Sequence, residues 1–215
     1  MKKFNSNLIS PLIEDYILEK TQVEDRLIDE MHKFAEVNEV PIIGPLVGKF
    51  LYQMAHLTNA KSIFEMGSGF GYSAYWFAKA FNDKGKVVCT DFSTEHKEAA
   101  EKFFKNAGFE NYMEFISGNS IEILKQSDKK YDIIFVDIDK EQYPDVIDIS
   151  FDKLNKNGLM IADNTLWYGR VIDDGEELPS TKGIKVFNNI LSSDNRFITT
   201  ILPLRDGITL SYKKD

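Results

Sequence analysis

Phe135-Val136-Asp137-Ile138-Asp139-Lys140 decides the fold. A short apolar run breaks off abruptly into acids and a lysine. Ile161-Ala162-Asp163-Asn164 repeats the pattern, with an acid and an amide at its end. Apolar runs of this length between polar flanks read as buried parallel strands. Polar residues at the carboxyl ends of such strands lie where open α/β sheets bind ligands. The two runs would bring Asp137, Asp163 and Asn164 to one rim, with Lys140 beside them. Two carboxylates and an amide oxygen are hard oxygen donors of the kind taken by Mg²⁺ or Ca²⁺. A lysine next to such a cation is a candidate proton acceptor, because nearby positive charge favours the neutral amine.

Working outward, strand and helix signals alternate. Strands are expected over 61–66, 87–90, 113–116, 132–136 and 159–162, and helices over 72–81, 94–106, 120–125, 143–154 and 181–191. Asn157-Gly158 reads as a left-handed cap closing the helix over 143–154. Phe197–Pro203 and Ile208–Lys213 form a hairpin around Arg205-Asp206-Gly207. The pattern predicts an α/β fold with a doubly wound, mostly parallel, seven-stranded sheet and a final antiparallel hairpin. Residues 1–58 read as a helical extension and 59–215 as the core. The extension holds helices from Ser10-Pro11, over 22–37 (Val23, Leu27, Met31 and Phe34 on one face) and over 46–57. It would cover a site rim, pack on a second subunit or simply cap the sheet.

Bulk numbers narrow the class. A chain of 215 residues with 43% hydrophobic content suits one α/β domain. The net charge of −8 disfavours a nucleic-acid partner. Cys89 stands alone inside a strand, so no disulfide framework or thiolate metal cluster is expected. The start, Met1-Lys2-Lys3-Phe4-Asn5, lacks a signal-type apolar core, and no run reaches membrane-spanning length, which predicts a cytoplasmic location. Asp173-Asp174-Gly175-Glu176-Glu177 reads as a solvated loop. His32, His56 and His96 are expected far from the motifs, in surface or packing roles.

Gly67-Ser68-Gly69-Phe70-Gly71 lies between a strand and a helix. Glycines there let a backbone approach a ligand closely. Asp91 ends the next strand, where an acid can hold both ribose hydroxyls. The last glycine falls one residue earlier than in the dinucleotide fingerprint. Glu65, just before the loop, would repel a pyrophosphate yet suit a cationic amino-acid group. Both features favour S-adenosylmethionine over a nicotinamide dinucleotide.

Taken together, Glu65–Ser73, Phe135–Lys140 and Ala162-Asp163-Asn164-Thr165-Leu166-Trp167 resemble the cation-dependent O-methyltransferases, the family of caffeoyl-CoA and catechol O-methyltransferases. The resemblance runs from about Pro41 to Asp206-Gly207-Ile208-Thr209-Leu210. It implies a divalent metal (Mg²⁺, or Ca²⁺ or Mn²⁺) held by Asp137, Asp163 and Asn164, with Lys140 as general base. It implies that Glu65, Gly67, Gly69 and Ser73 surround the methionine part of S-adenosylmethionine. Asp91 would hold the ribose, Ser120 would lie near the adenine, and Ile43 and Asp137 would also approach the cofactor. Trp167 and Tyr168 would flank an aromatic diol, and a homodimer is implied. Met66 before the first glycine and Tyr168-Gly169-Arg170 in the acceptor loop depart from the family's usual pattern.

Alternatives stay open at this point. Singly, Asp137 also reads as a turn cap, Lys140 as a surface lysine, Trp167 as core and Ser73 as a first-turn helix residue. The same chemistry could serve a hydroxylated tRNA base, with Lys49, Lys182 and Lys185 as a basic patch. A nicotinamide-dependent oxidoreductase and a non-catalytic adenosine-binding module share the sheet. The glycine spacing opposes the first, and the acid, amide and lysine set opposes the second.

Overall fold

Tyr131–Val136 (β4) and Leu154–Ala162 (β5) lie side by side as parallel strands, with Val136 opposite Ala162. Ile133, Ile134, Phe135, Val136 and Ile161 are fully buried, as near-continuous apolar runs in a parallel sheet should be. Both strands then stop at polar residues, Asp137 and Asp163. The computed structural model describes residues 8–21, 24–173 and 175–215. The order of the seven-stranded sheet is β3-β2-β1-β4-β5-β7-β6. Here β1 is Ser62–Met66, β2 Lys86–Asp91, β3 Met113–Ser117, β6 Phe197–Leu202 and β7 Ile208–Lys213. The β1–β2, β2–β3 and β4–β5 pairs are parallel; β7 runs antiparallel to both β5 and β6. The expected mostly parallel sheet with a closing hairpin is therefore the fold.

The chain gathers into two compact units. One comprises the residues up to Ile17 with Ser127–Asp215, and the other Leu18–Gln126. In the second, α2 (Arg26–Val37), α3 (Gly44–Leu57), α4 (Tyr72–Ala78), α5 (Thr94–Asn106) and α6 (Ser120–Gln126) accompany β1 to β3. Helix α2 starts later than expected because Asp25 caps it, accepting from Leu27 N and Ile28 N. Asp25 also receives the Tyr75 hydroxyl (3.2 Å) and Lys79, so the cap ties α2 to α4. The buried residues of α2 are Ile28, Met31 and Ala35, a stripe turned from the expected Leu27–Met31–Phe34 face; Gln22 and Val23 lie outside the described residues.

The first unit holds most of α1 (Pro11–Lys20, as far as Ile17), α7 (Val146–Lys153) and α8 (Pro179–Ser193) with β4 to β7. Helix α1 begins at the expected Pro11, but none of its residues is buried, and Leu12, Ile13 and Tyr16 stand exposed. The helix expected over 143–154 is split: a 3₁₀ turn covers Lys140–Asp145 and α7 follows. Pro144, with no N–H to donate and a ring that crowds the preceding turn, accounts for the tight start. Asn157-Gly158 does not cap a helix. Strand β5 begins at Leu154, and five residue steps of β5 (Leu154 to Leu159) oppose two of β4 (Tyr131 to Ile133). The extra residues form a bulge, and Asn157 takes its left-handed conformation there (φ 65°). No described helix is long and apolar enough to cross a membrane.

Candidate active site

In the first unit, polar residues converge at the carboxyl ends of β4 and β5. The Lys140 ammonium donates to Asp137 Oδ1 at 2.7 Å and to the Ile138 carbonyl at 3.1 Å. It also lies 5.2 Å from the Tyr143 ring centroid and 5.8 Å from that of Trp167. The Lys140 side chain is only 11% exposed, so it is no surface lysine. Asp163 is buried, and its Oδ1 accepts from Asn164 N at 2.9 Å. Its carboxyl is pushed well above the ordinary range, first by burial and then by the charges of Asp137 and Asp206, with Lys140 opposing. Tyr143 is fully buried and donates its hydroxyl to the carbonyls of Val136 (3.2 Å) and Asp163 (3.0 Å), joining the two strand ends. Helix α8 comes so close to this corner that a Cβ on Gly183 would overlap the Lys140 carbonyl.

The loop after β5 is unusual. Asn164, Trp167, Tyr168 and Gly169 all have positive φ (57°, 46°, 53° and 78°). Positive φ is rare for aromatic residues and persists only where surroundings impose it. The hairpin turn between β6 and β7 does so. The Asp206 carbonyl accepts from Leu166 N (2.9 Å) and Trp167 N (3.0 Å), and the Gly207 carbonyl accepts from Thr165 N (2.9 Å). Gly207 (φ 104°) has no room for a side chain, since a Cβ would overlap Leu166 N. Asn164 Nδ2 donates to Asp206 Oδ2 at 2.8 Å. The Tyr168 phenol is held above its usual range by partial burial and by the charge of Asp206.

Arg205-Asp206-Gly207, expected as a hairpin turn at the end of the stretch of resemblance, brings the buried Asp206 carboxylate to this cluster with no role foreseen for it. An Asp-Gly pair signals a turn equally well when its carboxylate is buried. Among the described residues, no three His, Cys, Asp or Glu side chains form a metal-binding group. The donor set that the resemblance implies, Asp137, Asp163 and Asn164, is a mixed one of two carboxylates and an amide. It suits a hard cation: buried Asp163 faces two further carboxylates, and one lysine offsets them.

In the second unit, the glycine loop follows β1 with positive φ at Gly67, Gly69 and Gly71. Gly67 N and Ser68 N both donate to the Thr90 carbonyl, and Gly71 N to that of Ser68. Gly69 N donates to Asp91 Oδ2 at 3.1 Å, while Asp91 Oδ1 accepts from Ser93 N at 2.9 Å. A side chain at Gly69 would meet nothing within 4 Å, so this backbone is open to an approaching group. Glu65 is buried opposite Cys89 in the β1–β2 register, and burial followed by the Glu65 charge pushes the thiol well up. Ser120 accepts from the Thr90 hydroxyl at 2.8 Å. Ser73 is buried in the first turn of α4, and Ile43 is buried at the entrance to α3.

Two histidines depart from expectation. His96 Nδ1 lies 3.3 Å from Asp91 Oδ1, because Ser93 caps α5 and brings the helix back over the strand end. His32 Nε2 lies 2.6 Å from the Tyr72 hydroxyl, directly after the loop. The spacing of five residues from Asp91 to His96 was the available signal.

A family model described as O-methyltransferase matches residues 19–214. The chain belongs to the O-methyltransferase family. Relatives of this O-methyltransferase include a catechol O-methyltransferase of Niastella koreensis, 30% identical, covering 97% of this chain and 100% of the relative. Caffeoyl-CoA O-methyltransferase 5 of Nicotiana tabacum is 34% identical, covering 95% of this chain and 92% of its own. The crystal structure of an O-methyltransferase from Bacillus cereus, in complex with SAH, superposes with a TM-score of 0.86 at 25% identity, covering 94% of this chain and 97% of that one.

Proposed function

We propose that this O-methyltransferase uses S-adenosylmethionine and a divalent cation, Mg²⁺ foremost with Mn²⁺ or Ca²⁺ as substitutes, to methylate one hydroxyl of a catechol or caffeoyl-type vicinal diol. One observation carries the reading. Buried Asp163 lies beside the charges of Asp137 and Asp206, opposed by the Asn164 N–H and by Lys140, and a bound cation would relieve this crowding of carboxylates. The names of the catechol and caffeoyl-CoA relatives support the acceptor class.

In this proposal Asp137, Asp163 and Asn164 hold the cation and the diol oxygens beside it. A bound divalent cation supplies Lewis-acid chemistry that eases loss of a hydroxyl proton. Lys140 takes that proton at Nζ, from a position set by Asp137 and the Ile138 carbonyl. Trp167 and Tyr168, with ring centroids 5.8 Å apart, flank the aromatic acceptor. Glu65, Gly67, Gly69 and Ser73 hold the methionine part of the methyl donor. Asp91 would hold its ribose and Ser120 its adenine, and the resemblance adds Ile43 and Asp137 to the cofactor residues. The oxyanion would then attack the methyl carbon, the new C–O bond forming as the C–S bond breaks and the sulfur keeping the electron pair as a neutral thioether. Orientation of the two reactants can contribute up to about 7–11 kcal/mol to such a step.

A basic patch for tRNA gains no support. Lys49 donates to the Thr21 carbonyl, Lys182 pairs with Glu177, and Lys185 donates to the Asp173 carbonyl. The deciding assay incubates purified protein and S-adenosylmethionine with caffeic acid, caffeoyl-CoA and simple catechols, in Mg²⁺ or in EDTA. Methyl transfer that EDTA abolishes is expected. Transfer that persists in EDTA would sink the metal reading; no transfer to any diol would sink the acceptor class. A homodimer is proposed on the exposed Leu12, Ile13 and Tyr16 of α1. A monomer by light scattering would remove it.

A further inference from the structure

We infer that Asp206 is a positioning residue: its carboxylate fixes which end of the Asn164 amide is left for the cation. The inference rests on the metal reading above. An asparagine side chain presents an oxygen at one end and an NH₂ at the other, and only the oxygen can ligate a cation. Asn164 Nδ2 donates to Asp206 Oδ2 at 2.8 Å. A carboxylate offers no proton in return, so this bond commits the NH₂ end and leaves Asn164 Oδ1 for another partner. With the amide turned over, two oxygens would oppose each other. Asp206 is buried, so water does not compete for the bond.

The same turn removes the other freedom by which Asn164 could swing away. Its neighbours Thr165, Leu166 and Trp167 donate their backbone N–H groups to the carbonyls of Asp206 and Gly207. Asn164 itself is held at φ 57°. Asp206 lies 42 positions further along the chain. It acts through Asn164, as partners of metal ligands commonly do by fixing ligand orientation.

The test measures Mn²⁺ binding by calorimetry in the absence of methyl donor, for wild type, Asp206→Ala, Asn164→Ala and the double variant. Asp206→Ala should weaken Mn²⁺ binding about 10- to 100-fold in the wild-type background. In the Asn164→Ala background it should cost within about threefold, because a residue that acts through Asn164 has nothing left there to orient. Equal weakening in both backgrounds would reduce the role to charge and overturn the inference, as would an Asp206→Ala protein that binds like wild type. Should Asp206→Ala fail to fold, hydrogen exchange of the Asn164 side-chain amide in the wild type decides. Slowed exchange supports the bond, and exchange as fast as that of an exposed asparagine overturns it. A wild type that binds no Mn²⁺ overturns the metal reading itself, and this inference with it.

Discussion

Asp91 and Asp163 both stand at the carboxyl ends of parallel strands, yet their surroundings are opposite. Asp91 accepts from Gly69 N and Ser93 N and has His96 within 3.3 Å. Its charge is met by backbone dipoles and a ring that the fold itself provides. Asp163 is buried with one backbone N–H, the Asn164 amide nitrogen, and two like charges nearby. In the proposed function the first carboxylate accepts from the hydroxyls of a neutral ribose. The second has only Lys140 set against its like charges, and in the proposed function a cation would relieve them. The difference predicts that variants at the two strand ends separate cleanly, one set in cation binding and turnover, the other in cofactor affinity.

The largest effect should come from Asp163→Ala. Loss of the cation removes several kcal/mol of charge stabilisation, so turnover should fall by roughly 10³–10⁴-fold and stop responding to Mg²⁺. S-adenosylmethionine affinity, read by calorimetry, should hardly move. A variant that stays Mg²⁺-dependent would take Asp163 out of the cation site. Lys140→Ala should lower kcat by about 10²–10³-fold, the scale of a positioned general base, with Mn²⁺ affinity retained. Unchanged turnover would leave Lys140 as a structural partner of Asp137.

Both strand ends were legible in the sequence because an apolar run that stops at an acid reports burial and chemistry at once. The glycine loop was legible because its φ demands leave few other residues possible. Asp206 was not, since its partner Asn164 is brought near only by β7 pairing with β5, and nothing local marks a turn acid as buried. Asn157-Gly158 misled for a related reason: a left-handed residue serves a helix cap or a strand bulge equally, and the β4–β5 register decides between them. Pro144 carried the signal for the split helix over 143–154, but the apolar spacing of Val146, Ile147 and Phe151 outweighed it. His96 was overlooked because helix periodicity says nothing of what its first turn packs against.

At the other strand end, effects should be smaller. Asp91→Ala removes an acceptor for ribose hydroxyls and should weaken S-adenosylmethionine about 10- to 100-fold, the scale of hydrogen bonds to a charged group. Mn²⁺ affinity should be unaffected; a matching loss there would merge the two regions that the comparison separates. His96→Ala removes one neighbour of Asp91 and leaves the backbone donors in place, so about a threefold loss of cofactor affinity is expected. A loss as large as that of Asp91→Ala would make His96, not the loop backbone, the group that orients the carboxylate.

The smallest effect runs in the opposite direction. Burial and like charges raise the Asp163 carboxyl above its unfolded value of 3.8, so the folded metal-free protein holds this proton more tightly than the unfolded chain. The contribution of Asp163 to stability is then fully present below about that value and is lost as pH rises through the raised folded one. Above that raised value, Asp163 ionised and without a cation is a liability. Asp163→Asn keeps the oxygen that accepts from Asn164 N and discards the charge. It should stabilise the metal-free protein by about 1 kcal/mol, seen as roughly a 2–4 °C rise in Tm at pH 7, while ending cation binding. The gain should vanish in acid, where the wild-type carboxyl is already protonated, and wild type in saturating Mg²⁺ should recover it by ligand linkage. A metal-free Asp163→Asn protein that melts below wild type at pH 7 would show that the cluster is satisfied without a cation, and the contrast with Asp91 would fail.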